Sequence, residues 1–134
     1  MGIFTCKPRY GEDATAVFNM LSGYSEPLAW NKLSLAPLWL RDRFLSLIAR
    51  ECDNAKKGRP AAIIAKMNSL CDPGIIKALY EASAAGVNIR LIVRGICCLR
   101  AGVPGLSENI HVRSIVGTFL EHSRIFYFEN GGIP

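Results

Sequence analysis

At 134 residues, with 50% apolar residues and a mean hydropathy of +0.20, the chain has material for one domain that buries roughly two-thirds of its unfolded surface. No uninterrupted apolar run approaches the roughly 20 residues of a membrane span, and the stretch from Met1 to Arg9 lacks the apolar core of a signal peptide. Sixteen basic against 11 acidic residues give a net charge of +5, which favours an anionic partner such as a nucleotide, a nucleic acid or a membrane surface without choosing among them.

Glu12 to Leu21 carries Val17, Met20 and Leu21 at helical spacing and stops at Gly23, which predicts a short helix. Residues 24–31 read as a loop around Pro27, and Lys32 to Ala36 as a short strand. Pro37 then opens a helix to about Lys57, with Leu40, Phe44, Ile48 and Ala55 on its apolar side and Gly58 as its stop. Ala61 to Met67 is apolar enough for a strand buried on both faces. The next helix is the best delimited: Asp72 caps it, Pro73 fills its first position and Gly86 follows its end. Val87 to Val93 reads as a second buried strand, so the strand, helix and strand make a βαβ unit with parallel strands. Residues 95–109, rich in Gly and Pro, read as a long functional loop. Ile110 to Val116, a short turn near Thr118 and a strand over residues 122–128 complete the chain.

The last strand carries the first chemical signal. Side chains alternate on a strand, so His122 and Arg124 are expected on one face, with Phe126 and Phe128 behind them. An imidazole can carry or deliver a proton or a phosphoryl group, while a guanidinium neutralises phosphate oxygens. The bland reading of the same pair is a solvated strand face. A second signal comes from topology, because open α/β sheets bind ligands beyond the carboxyl ends of parallel strands. Those ends deliver Arg94, followed by Gly95 in a bend, and alongside it Asn68 and Ser69. Arg94 and His122 are therefore expected to face one anion.

Five cysteines, an odd count with no Cys-x-x-Cys pair, fit a reducing, cytoplasmic setting. Cys97 and Cys98 invite a redox or metal reading, but adjacent cysteines chelate poorly and form strained disulfides. They are expected instead as small buried hydrophobes. Arg100, Arg113 and Lys66 either line a basic path for a polyanion or are solvated charges.

Several blocks closely resemble polyphosphate kinase, the large bacterial family that polymerises the terminal phosphate of ATP. They are Lys66-Met-Asn-Ser-Leu-Cys-Asp-Pro, Leu91-Ile-Val-Arg-Gly-Ile-Cys-Cys-Leu-Arg, Gly102-Val-Pro-Gly-Leu-Ser-Glu-Asn-Ile and Phe119-Leu-Glu-His-Ser-Arg-Ile-Phe-Tyr-Phe-Glu-Asn-Gly-Gly. The likeness runs from about Gly11 to Gly132 and points to the last catalytic domain of that enzyme. It implies an α/β, phospholipase D-like domain with a mixed, mostly parallel sheet flanked by helices, here as a truncated piece of a longer protein, residues 1–134 forming one domain. It implies that Arg94 and His122 contact ATP phosphates, His122 assisting transfer as an acid or charge stabiliser, with Arg124 as a further phosphate contact or a structural ion-pair partner. His111 stands where the family usually has Arg and receives no role.

The phospho-acceptor histidine of the family lies in a His-Ala-Lys context in the preceding domain, and no such motif occurs here. The resemblance further implies Mg²⁺ with ATP, its ligands outside this chain, and as partners ATP or ADP, inorganic polyphosphate, the remaining domains and a homo-oligomer. No nucleic acid is expected, and the parent enzyme is expected in the cytoplasm, with peripheral membrane association left open. By itself the chain is expected to make no polyphosphate. Two rival classes remain. A phospholipase D-type phosphodiesterase needs a His-x-Lys motif in two copies, and neither histidine is followed by one. A non-catalytic polyanion- or nucleic-acid-binding module is favoured by the charge but lacks an aromatic stacking platform or a basic recognition helix.

Overall fold

A computed structural model describes residues 2–23, 25–27 and 29–133, which form two compact units divided between residues 43 and 44. The first contains helix α1 (Pro8–Leu21), opened by a proline at its first turn, where the missing N–H costs nothing. It starts four residues before the expected Glu12, since Lys7 in extended conformation precedes Pro8 directly. The strand expected at 32–36 does not form. The backbone N–H groups of Asn31, Lys32 and Leu33 donate to the carboxylate of Asp13 at 3.0, 2.7 and 2.7 Å, so they have no ladder to join. Of the loop expected at 24–31, residues 24 and 28 lie outside the described residues. Trp30 and Trp39 stack at a tilt, with ring centroids 5.4 Å apart.

Helix α2 (Leu40–Lys56) crosses the division between the units. It begins three residues after Pro37, because residues 36–39 form a turn. In the second unit follow strand β1 (Ala62–Leu70), helix α3 (Pro73–Ala84), strand β2 (Asn88–Cys97), strand β3 (Ile110–Arg113) and strand β4 (Ile125–Phe128). The boundaries of α3 match the sequence signals: the Asp72 carboxylate accepts from the Ile75 N–H at 2.8 Å, and Gly86 follows with a φ of 98°. Such a cap satisfies one of the orphan donors of the first turn.

The four strands lie in the order β3-β2-β1-β4, with β4 antiparallel to β1 and the other two pairings parallel. Alternation divides the sheet into two faces. Ile63, Ala65, Ile89, Leu91, Val93 and Ile110 are 3% exposed or less and pack with Ile48 of α2 and Leu79 and Ala82 of α3. Each large aliphatic side chain so buried contributes about 1.5–3 kcal/mol relative to exposure. The opposite face carries Ile64, Lys66, Asn68, Ile92 and Arg94. Two parallel strands thus carry their even-numbered residues toward one site at their carboxyl ends.

Candidate phosphate-binding site

β1 and β2 run further than the sequence suggests, and the reason lies at the site. Residue pairing proceeds in step to Asn68 opposite Arg94, then slips so that Leu70 faces Cys97. The extra residue is absorbed by Ser69 and Gly95, both at positive φ (57° and 91°). A Cβ at position 95 would lie 3.1 Å from the Ser69 Oγ, so both backbone angle and space select glycine there. Bulges of this kind re-aim neighbouring side chains. The residues expected as a loop from 95 are therefore strand to Cys97, and pairing closes with the Cys98 N–H donating to the Leu70 carbonyl at 2.9 Å.

His122 and Arg124 are not on a strand. β4 starts at Ile125, opposite Lys66, and residues 121–124 precede it as irregular chain. The ladder stops because Lys66 takes the backbone groups that would extend it. Its ammonium donates to the carbonyls of Glu121 (2.7 Å) and Ser123 (2.8 Å) and to the Ser123 Oγ (3.2 Å). Lys66 is only 8% exposed, so it is neither a solvated charge nor part of an open basic path. A lysine inside an apolar strand pattern requires such acceptors, and that is the signal the sequence offered.

Arg94 and His122 come together in spite of the lost strand. One guanidinium nitrogen of Arg94, Nη1, lies 3.4 Å from the Glu121 carbonyl oxygen, which belongs to the peptide bond leading into His122. The His122 Nδ1 lies 3.5 Å from the Nδ2 of Asn68, the residue paired with Arg94 across β1 and β2. When that amide donates, Nδ1 accepts and the neutral ring keeps its proton on Nε2. The Asn68 Oδ1 is buried with no protein partner. Arg94 and Gly95, with residues 114–121, line a cleft of about 380 Å³. Arg124 is exposed and stands outside the contacts joining Asn68, Arg94, Glu121 and His122. A larger hollow of about 820 Å³ lies over the sheet face at Arg90, His111 and Arg113 and includes none of the three expected site residues.

The cysteines depart from expectation. Cys98 is exposed and Cys97 half-buried, and Cys71 is exposed on the adjoining strand end. A hydrogen bond with the Cys98 thiol, followed by partial burial and the neighbouring sulfurs, pushes the Cys71 thiol above its ordinary value. All three are free thiols. Among the described residues no cluster of three or more His, Cys, Asp or Glu side chains is placed to hold a metal ion. No helix among them is long and apolar enough to cross a membrane.

A mixed sheet with helices on its core face makes this an α/β domain, consistent with the phospholipase D-like kind that the resemblance implies. The family model described as "Polyphosphate kinase C-terminal domain 2" matches residues 33–134. A polyphosphate kinase of Thermosynechococcus vestitus is 56% identical over 134 residues, which is 100% of this chain and 18% of that protein. One from Halalkalibacterium halodurans is 60% identical over 132 residues, 98% of this chain and 19% of that protein. The crystal structure of polyphosphate kinase from Porphyromonas gingivalis superposes with a TM-score of 0.87 at 43% identity, covering 96% of this chain and 21% of that one. The chain belongs to the polyphosphate kinase family, matching its second C-terminal domain, and spans about a fifth of the length of these relatives.

Proposed function

We propose that this chain supplies Arg94 and His122 as phosphate-binding residues to the catalytic site of a polyphosphate kinase, which transfers the terminal phosphate of ATP reversibly to inorganic polyphosphate. The observation that carries this reading is the meeting of Arg94 and the His122 segment at the carboxyl ends of β1 and β2, on a chain of this family. Arg94 neutralises oxygens of the phosphate chain, and its fixed, delocalised charge suits that task. His122, carrying a proton on Nε2, donates to the transferring group as an acid or charge stabiliser. Phosphoryl transfer needs little more of a protein than positioning and electrostatics, which these two supply. Arg124, exposed two residues after His122, serves as a further phosphate contact.

The phosphoryl group itself is carried on a histidine of another domain. His111 and His122 are the two histidines here, and neither stands in a His-Ala-Lys sequence. Mg²⁺ travels with ATP and offsets phosphate charge. Among the described residues the carboxylate at the site is Glu121, which lies 3.8 Å from the Lys66 ammonium, so these residues do not fit a Mg²⁺ site. The remaining domains of the parent chain complete the site, and the enzyme assembles as a homo-oligomer. Five free thiols support a cytoplasmic setting.

Two measurements test this. Polyphosphate is expected to outcompete single-stranded DNA for the chain, with affinity that falls as salt rises; DNA winning the competition would favour the nucleic-acid module. Incubation with radiolabelled ATP and Mg²⁺ is expected to leave neither acid-labile protein label nor polymer. Stoichiometric label on His122 would make this chain the phospho-acceptor instead.

A further inference from the structure

We propose that Lys66 is the positioning residue for His122: it binds no phosphate itself but holds the segment 121–123 so that the imidazole stays in place while Arg94 engages the anion. An ammonium has three donors, and at Lys66 they meet the Glu121 carbonyl at 2.7 Å, the Ser123 carbonyl at 2.8 Å and the Ser123 hydroxyl at 3.2 Å. A phosphate could reach Lys66 only by displacing one of these, and the side chain is 10% exposed. Arg94 differs in each respect. Its one contact to that segment is long, 3.4 Å to the Glu121 carbonyl, and it borders the cleft that Lys66 does not line.

The Glu121 carbonyl is the point the two cations share. When Arg94 turns its guanidinium to an anion, that oxygen keeps the shorter bond to Lys66. The chain on both sides of His122 is then anchored, through Glu121 before it and Ser123 after it, without help from a strand ladder that begins only at Ile125. Charged hydrogen bonds suit this task because their loss is costly once the group is buried. Sequence pattern alone places Lys66 among solvated or ligand-binding cations; the geometry assigns it to neither.

The proposal rests on the reading of His122 as a phosphate-site residue, and the test separates the two. With ¹⁵N-labelled histidine, His122 and His111 give two ring signals, and His111, exposed on β3, is the internal control. In Lys66→Met the His122 ring is expected to move from one tautomer toward the mixed pattern of free imidazole, while His111 is unchanged. ATP binding is expected to weaken about tenfold, on the scale of a lost charged-group hydrogen bond. Adding His122→Ala to Lys66→Met is then expected to cost less than about twofold more, because residues acting as a unit are not additive. If Lys66→Met fails to fold, Ser123→Ala removes one acceptor from the exposed side and is expected to shift the same His122 signal by a smaller amount. An unmoved His122 ring in the folded variants, or multiplying losses from Lys66→Met and His122→Ala, would overturn the proposal. Absence of ATP binding in the unsubstituted chain would overturn the phosphate-site reading alone, with the ring signals still deciding the role of Lys66.

Discussion

In the unit up to residue 43, Asp13 is the one buried charge among the described residues, and it accepts four hydrogen bonds from Asn31, Lys32 and Leu33. In the unit from residue 44, a contiguous set of aliphatic side chains on β1, β2 and β3 packs with α2 and α3. Buried charge is present there too, but at the margins. Glu51, fully buried, accepts from the Asn130 N–H at 3.0 and 3.2 Å, and Lys66 holds residues 121–123. The first unit therefore depends on one ionised group, whereas the second depends on apolar packing and uses its ionised groups to fasten irregular segments. Apolar burial is non-directional and tolerant of pH; a carboxylate caged by N–H groups is neither.

The largest expected effect lies in the sheet. Ile89 is 0% exposed on β2, between β1 and β3, and Ile89→Ala is expected to lower stability by about 2–5 kcal/mol from lost burial and the cavity left behind. Chemical denaturation followed by far-UV circular dichroism measures this, and a loss below about 1 kcal/mol would mean that the sheet is not held by its apolar face.

The second effect sharpens the contrast through pH. Burial pushes the Asp13 carboxyl up, but hydrogen bonds from the Asn31, Leu33 and Lys32 backbone and the Asn31 side chain outweigh it and bring it from 3.8 to about 2. A carboxyl depressed in the folded state contributes stability above its unfolded value and loses it as pH falls through the folded one. The loop at 31–33 is thus expected to release between about pH 4 and pH 2. Tryptophan emission reports it, since both tryptophans, Trp30 and Trp39, lie in that unit. Asp13→Asn is expected to show the released emission already at pH 7. Emission that is constant from pH 5 to pH 2 would break the comparison.

The smallest effect is local. Asp72→Ala removes the carboxylate that accepts from the Ile75 N–H and is expected to cost about 1 kcal/mol, as a lost helix cap does. The same denaturation experiment resolves it from the Ile89→Ala loss by size.

What was legible in the sequence follows the same division. Strands β1 and β2, the helix between them and its Asp72 cap were readable because apolar periodicity and capping chemistry are local. The strand expected at 32–36 was not there, because its N–H groups go to a carboxylate 18 to 20 residues earlier, a pairing no local pattern shows. His122 and Arg124 looked like strand residues because they precede Ile-Phe-Tyr-Phe without a break in composition. Their carbonyl neighbours are captured by Lys66 across the sheet, more than 50 residues away. The bulge at Ser69 and Gly95 carried a faint sign, a glycine directly after Arg94, but its partner was a serine at positive φ that no propensity foretells. The nearness of Arg94 to the segment of His122 was legible all the same, its guanidinium lying 3.4 Å from the Glu121 carbonyl, since the carboxyl ends of parallel strands are where such side chains gather.

The central claim is that Arg94 and His122 serve one phosphate site, and titration calorimetry of ATP binding to the chain, Arg94→Ala, His122→Ala and the double variant tests it most directly. Each substitution is expected to weaken binding, Arg94→Ala the more, because the planar guanidinium brings several donors and a fixed charge to the phosphate oxygens. The double variant is expected to lose less than the product of the two, because groups around one ligand are coupled. Unchanged affinity in both substituted chains would contradict the account.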